Sequence, residues 1–308
     1  MFRNTPAVDG LMTLASSRRP PLAGFCRAER TRFSSATGLL VVGHGTADPV
    51  GAAETAAVAA LIAEQSPQTP VELGYLEVIE PSIEMAVECL VDRGCRDIVA
   101  LPILLFSAGH AKRDVPGALA AAASRRGLRV RQAAPLGLHT HLIELARRRF
   151  LEAVANRPAY GPDEEAILVV GRGSSDPTAV TQLSRFVEAV YDPLPRAVGR
   201  QRSLGFVAAA RPTLAEAIEA CGRPSAGRPV VKRVVVHPHL LFHGHVETQV
   251  ANRLADARAA YPSIEWLQVE RLGAAQEVAT ALLERGREVL QAGRNCGIYP
   301  PVPSLGPK

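Results

Sequence analysis

The chain has 308 residues, 47% hydrophobic and 21% charged, which suits a globular protein with its own core and room for two domains. No apolar run reaches the ~18 residues of a membrane helix, and aromatic residues are only 5%, so neither a membrane-spanning protein nor an aromatic-lined nucleic-acid binder is expected. The net charge of +5 is concentrated in the leader, where Arg3, Arg18, Arg19, Arg27, Arg30 and Arg32 face only Asp9 and Glu29. A leader rich in Ser and Arg and poor in acids has the composition of a transit peptide, and equally of a disordered tail or a start set too early. We read residues 1–37 as such a tail and expect a cytoplasmic protein. The five cysteines carry no CxxC pair and are odd in number, which fits a reducing compartment. Cys89, on an apolar helical pattern, is expected in the core.

From residue 38 onward strands and helices alternate. Residues 38–43 (GLLVVG) are a short apolar run closed by glycine, a buried strand. The Ala-rich stretch 50–65 predicts a helix, and 71–77 (VELGYLE) a second strand with Glu77 at its end. Pro81 suits a first helical position, and Ile83, Val87 and Leu90 recur at helical spacing. Residues 97–106 (DIVALPILLF) predict a third strand, irregular beyond Pro102. A helix over 115–126, a strand over 128–134 and a helix over 139–155 follow. Strand–helix alternation of this kind implies a parallel sheet with right-handed crossovers.

The pattern then repeats. AILVVGRGSSDP (166–177) matches LLVVGHGTADP (39–49), LGFVAAARPTLAEA (204–217) matches LGYLEVIEPSIEMA (73–86), and VVVHPHLLFHGH (234–245) matches IVALPILLFSAGH (98–110). Three blocks in the same order indicate a tandem duplication. The expected architecture is α/β: a leader (1–37), a first domain (38–156), a second, degenerate copy (166–292) and a tail (293–308), each domain holding a parallel sheet of about four strands flanked by helices.

The duplication is an internal control. Gly43, Gly45, Asp48 and Pro49 persist as Gly171, Gly173, Asp176 and Pro177, as residues that build the fold should. His44 becomes Arg172, Glu77 aligns with Ala208 and Glu80 with Arg211, while His110 keeps a counterpart in His245. The second copy has thus lost an imidazole and two carboxylates, which folding alone does not explain. In a parallel sheet, ligands bind beyond the carboxyl ends of the strands, where His44, Glu77 and His110 converge. Neutral imidazole and carboxylate suit borderline divalent cations, and two His with one acid leave coordination positions open. Gly43, Gly45 and Gly109 would let a flat ligand approach, and Lys112 and Arg113 would rim the site for a polyanion. His139 and His141 are read as surface residues at a helix start. His237 and His239 alternate along a strand and share a face, which permits a secondary metal site with His243 and His245.

The stretches LLVVGHGTADP, YLEVIEPSIEMAVECL and ALPILLFSAGHAKRDVPGAL resemble the sirohydrochlorin chelatases of the long, two-half type. The resemblance covers the first half almost completely and the second more loosely. It implies two similar α/β domains across a cleft, and insertion of Co²⁺ or Fe²⁺, as substrate metal, into the polycarboxylate macrocycle sirohydrochlorin. It also implies that His44 and His110 contact the metal, assisted by Glu77 or Glu80. Glu77 is favoured because it is expected to end its strand. Ser107 and Gly109 would join the substrate contacts. No permanently bound cofactor, nucleic acid or membrane is expected. Two other readings are a metal carrier built on the His-rich strand and, less well supported, a histidine phosphatase. The latter would want Arg before the histidine, where this chain has Gly43.

Overall fold

Two sheets of the same design carry the chain. The computed structural model describes residues 33–34, 36–106, 114–124, 127–195, 201–223 and 230–295. The first sheet holds β1 (Thr37–Gly43), β2 (Val71–Tyr75), β3 (Asp97–Pro102) and β4 (Arg129–Gln132), all parallel, in the order β2-β1-β3-β4. The second holds β5 (Glu165–Gly171), β6 (Gln201–Phe206), β7 (Arg233–Pro238) and β8 (Glu265–Gln268), again parallel, in the order β6-β5-β7-β8. The helices between them are α1 (Pro49–Gln65), α2 (Ile83–Asp92), α3 (Asp114–Ser124), α4 (Thr140–Val154), α5 (Pro177–Tyr191), α6 (Leu214–Gly222), α7 (His245–Ala260) and α8 (Gln276–Asn295). Among the described residues no helix is long and apolar enough to cross a membrane.

Period-two alternation sorts the strand residues onto two apolar faces. On β1, Leu40 and Val42 pack outward with Val87 and Leu90 of α2 and Leu119 of α3. Leu39 and Val41 turn inward, into a core that also takes α1, α4, α5 and α8 and the inner face of the second sheet. The outer face of that second sheet is covered by α6 and α7. The two halves therefore share one central core. α8 even leaves its own sheet, packing on β3 and β4 of the first half. A Cβ on Gly286 of α8 would sit 2.8 Å from Leu101.

Several boundaries differ from expectation. β2 stops at Tyr75, because the Tyr75 N–H donates to Pro81 and the next two N–H groups turn to Gly43 and His44. Glu77 thus lies in the loop past the strand. Pro81 is not the first helical residue: Ser82 caps α2, its hydroxyl accepting from the Met85 N–H. β3 ends at Pro102, after which Leu104 donates back to Pro102 in a tight turn. Cys89 is exposed, and the buried thiol is Cys95, packed under Gly38.

The two sheets also differ at the amino ends of their strands. In the second, the Arg233 guanidinium is 2% exposed, with Nε 2.9 Å from Glu265 and Nη1 3.0 Å from Glu165. It stacks 4.5 Å from the centre of the Tyr160 ring. At the same register the first sheet has Asp97, held by Arg129 and Arg131 at 3.3 Å each, in a more exposed setting. The charge arrangement is inverted between the copies and is buried only in the second.

Candidate functional site

The site lies at the carboxyl edge of the first sheet. β1 ends at Gly43, and the loop from His44 to the start of α1 is held at several points. Gly45 has φ +101°, and a Cβ there would fall 1.8 Å from the Glu77 carbonyl oxygen, so only glycine fits. Asp48 caps α1, one carboxylate oxygen accepting from Val50 and Gly51 N–H at 2.9 and 3.0 Å. Pro49 follows at the first helical position.

This frame brings His44 and Glu77 together. The Glu77 N–H donates to the His44 carbonyl at 3.1 Å, and His44 Nδ1 lies 3.2 Å from Glu77 Oε1. Their side chains are 53% and 60% exposed, so both groups are open to a ligand. They edge a cavity of about 450 Å³ whose walls include Val42, Leu76, Leu104 and Val115, with Gly43 and Asp114 also in the lining. A slot with apolar walls, one imidazole and the carboxylates of Glu77 and Asp114 suits a flat, largely apolar ring whose centre must meet a cation. A carboxylate on one ring nitrogen also orients the imidazole, as outer partners of metal ligands do.

The other candidates divide. Glu80 is exposed and does not line this cavity. Gly43 does line it, and its missing side chain also makes room for the Tyr75 ring. His110, Ser107, Gly109, Lys112 and Arg113 lie outside the described residues. Not foreseen from the sequence are the apolar walls, whose residue types alone carry no signal of a site, and Asp114, an acid that also suits a helix start.

The second half shows the same frame without the chemistry. Gly173 has φ +90° against the Ala208 carbonyl, the Ala208 N–H donates to Arg172 at 2.9 Å, and Val78 and Ala209 share a positive φ. The pairing of His44 with Arg172 and of Glu77 with Ala208 is therefore fixed by the backbone. Arg211, at the place of Glu80, is tied to Glu216 at 2.6 Å.

His237 and His239 do share a face, but it is the inner one. Both are buried where the first half has Leu101 and Ile103. His237 Nδ1 lies 2.5 Å from the Tyr191 hydroxyl, and His239 is wedged between Phe106 and Phe186. Among the described residues no group of three His, Cys, Asp or Glu is arranged to hold a metal, so these two do not build the secondary site considered from the sequence. His139 is also buried, capping α4 and facing Glu284 at 3.4 Å, while His141 is half-buried.

Burial pushes the His237 imidazole down to about 4 and His239 to about 3. The unfolded chain, with ordinary histidines, takes up protons first as the pH falls. This contribution to stability is therefore complete above about pH 6.5 and is lost through pH 4 and 3. The triple variant Tyr191→Phe, His237→Leu, His239→Ile, in which the first half's residues replace both histidines and the tyrosine loses its hydroxyl, should flatten the loss of urea stability between pH 6.5 and 4. In the wild type that loss should approach about 1.4 kcal/mol per pH unit for each histidine. Parallel curves would contradict it.

The CbiX family model matches this chain twice, over residues 38–153 and again over 166–289. The sirohydrochlorin cobaltochelatase of Priestia megaterium is 27% identical over 254 residues, covering 82% of this chain and 80% of that protein. The sirohydrochlorin ferrochelatase of Bacillus subtilis is 26% identical over 252 residues, covering 81% and 90%. Among solved structures, SirB from Bacillus subtilis with Fe³⁺ superposes with a TM-score of 0.71 at 24% identity, covering 84% of this chain and 97% of that one. With the family matched along both halves, the chain belongs to the CbiX family and carries its domain in two tandem copies.

Proposed function

We propose that this protein is a sirohydrochlorin chelatase, a lyase that inserts Co²⁺ or Fe²⁺ into an acidic tetrapyrrole on the way to cobalamin or sirohaem. The observation that carries this reading is His44 facing Glu77 at the rim of an apolar-walled cavity, in the first half alone. The named activities of the relatives support it.

Metal insertion replaces metal-bound water by ring nitrogens and removes two pyrrole N–H protons. His44 and His110 hold the incoming cation, leaving positions open for the macrocycle. Glu77 accepts the released protons as a general base and, being exposed, passes them to water. Lys112 and Arg113, with Ser107 and Gly109, meet the carboxylates and edge of the macrocycle. The second half, with Arg172 and Ala208 in place of His44 and Glu77, is catalytically silent.

The test is the anaerobic absorbance change of sirohydrochlorin with Co²⁺ and with Fe²⁺. Wild type should exceed the metal-only blank. Glu77→Gln should slow insertion about 10²-fold, while Glu80→Gln stays within about threefold of wild type. The metal inserted faster identifies the preferred substrate. A wild-type rate equal to the blank would refute the assignment, and equal losses at Glu77 and Glu80 would remove the distinction between them.

A further inference from the structure

The silent half has not only lost residues. At the position of Ser107 in the first half it carries His243, and at the position of Pro135 it carries Arg271. Both reach across to the first half. His243 Nδ1 lies 2.9 Å from Asp48 Oδ2, and the His243 backbone N–H donates to Glu54 at 2.7 Å. The Arg271 guanidinium bridges Glu54, at 2.6 Å, and Glu247, at 3.0 Å from both carboxylate oxygens. The fit is tight at the backbone too, since a Cβ on Gly51 would fall 2.5 Å from the His243 carbonyl oxygen. The arginine bridge has no counterpart in the repeat: Gln182 stands at the place of Glu54, and Pro135 at the place of Arg271.

The clamp closes on one particular loop. Asp48 uses one oxygen to cap α1 and the other to meet His243, and its N–H donates to Thr46 Oγ1 at 3.1 Å. The loop that begins at His44 is thus pinned at its start by Glu77 and at its end by the other half of the chain. We propose that His243 is a positioning residue for the metal site: the second half, which lacks equivalents of His44 and Glu77, fixes the His44 loop in its metal-binding conformation through the His243–Asp48 contact and the Arg271 bridge behind it. This rests on the reading of His44 as a metal ligand. Decay of an unused copy would not install a histidine and an arginine that both meet carboxylates across the interface.

The experiment compares wild type, His44→Ala, His243→Ser and His243→Asn in a titration with Co²⁺ alone, in turnover with sirohydrochlorin, and in thermal unfolding. Serine is the residue the first half carries at this place in the sequence, and it is too short to reach Asp48. Asparagine puts an N–H close to the position of Nδ1. His243→Ser should weaken Co²⁺ binding about tenfold and raise KM for the metal by the same factor, with kcat changed less. His243→Asn should recover most of the affinity, and both variants should unfold within about 2 °C of each other. Wild-type Co²⁺ affinity in His243→Ser, or equal losses in Ser and Asn, would overturn the positioning role. Equal Co²⁺ binding by wild type and His44→Ala would instead overturn the reading of His44, and the proposal with it.

Discussion

Replacing His44 by alanine is expected to slow metal insertion by about 10²-fold or more, while Arg172→Ala, at the matching place in the second half, changes the rate by less than about threefold. The two positions share a backbone frame down to the positive φ of the following glycine and the hydrogen bond from the next strand's loop. With the local backbone matched, the comparison isolates the side chain at each position from the frame that carries it. An imidazole has a ring-nitrogen lone pair to offer a cation, and at His44 the Glu77 carboxylate lies 3.2 Å from Nδ1, whereas a guanidinium such as that of Arg172 has none to offer. The measurement is initial rate against Co²⁺ concentration for both variants, with imidazole then added to His44→Ala. Partial recovery with imidazole would tie the loss to the missing donor. Equal losses at the two positions would mean that both halves work, and would defeat the one-sided site.

The largest effect on folding is expected at Arg233. Arg233→Met should cost about 3–5 kcal/mol of unfolding free energy, because it strands the nearly buried Glu165 carboxylate without its cation. Asp97→Asn, at the same register of the first sheet, should cost no more than about 1 kcal/mol, since Arg129 and Arg131 there are more open to water and salt. Urea denaturation at pH 7 reads both. Adding Glu165→Gln to Arg233→Met should restore part of the loss, as removing the orphaned charge removes the main penalty. Similar costs at Arg233 and Asp97 would show that burial does not set the difference.

The sequence made the repeat and the parallel strands legible, because buried strands of a parallel sheet are short apolar runs and both copies keep them. It also made His44 and Glu77 legible, through what the second copy had lost. The end of β2 was not: VELGYLE stays strand-like in composition, and only the three-dimensional pairing of Tyr75 with Pro81 stops it. For His237 and His239 the alternation correctly put both on one face, but periodicity does not say which face meets water. Cys89 was misplaced for a related reason, since α2 buries only the stripe of Ile83, Ala86, Val87 and Leu90. The clamp joins Asp48 to a residue 195 positions away. Its traces in the sequence are His243 standing where the first copy has Ser107, and Arg271 where it has Pro135.

The crossing of α8 onto the first sheet has a consequence for how the chain is made. A ribosome delivers the amino-terminal half first, with the strands and loop that carry His44 and Glu77. The inner face of that half, around Leu101 and Val99, is completed only by the turn of α8 that contains Gly286. During synthesis the first half must wait, with part of its apolar sheet still exposed, until nearly all of the second half has followed. The second copy is in that sense the last step in the maturation of the copy that carries His44 and Glu77.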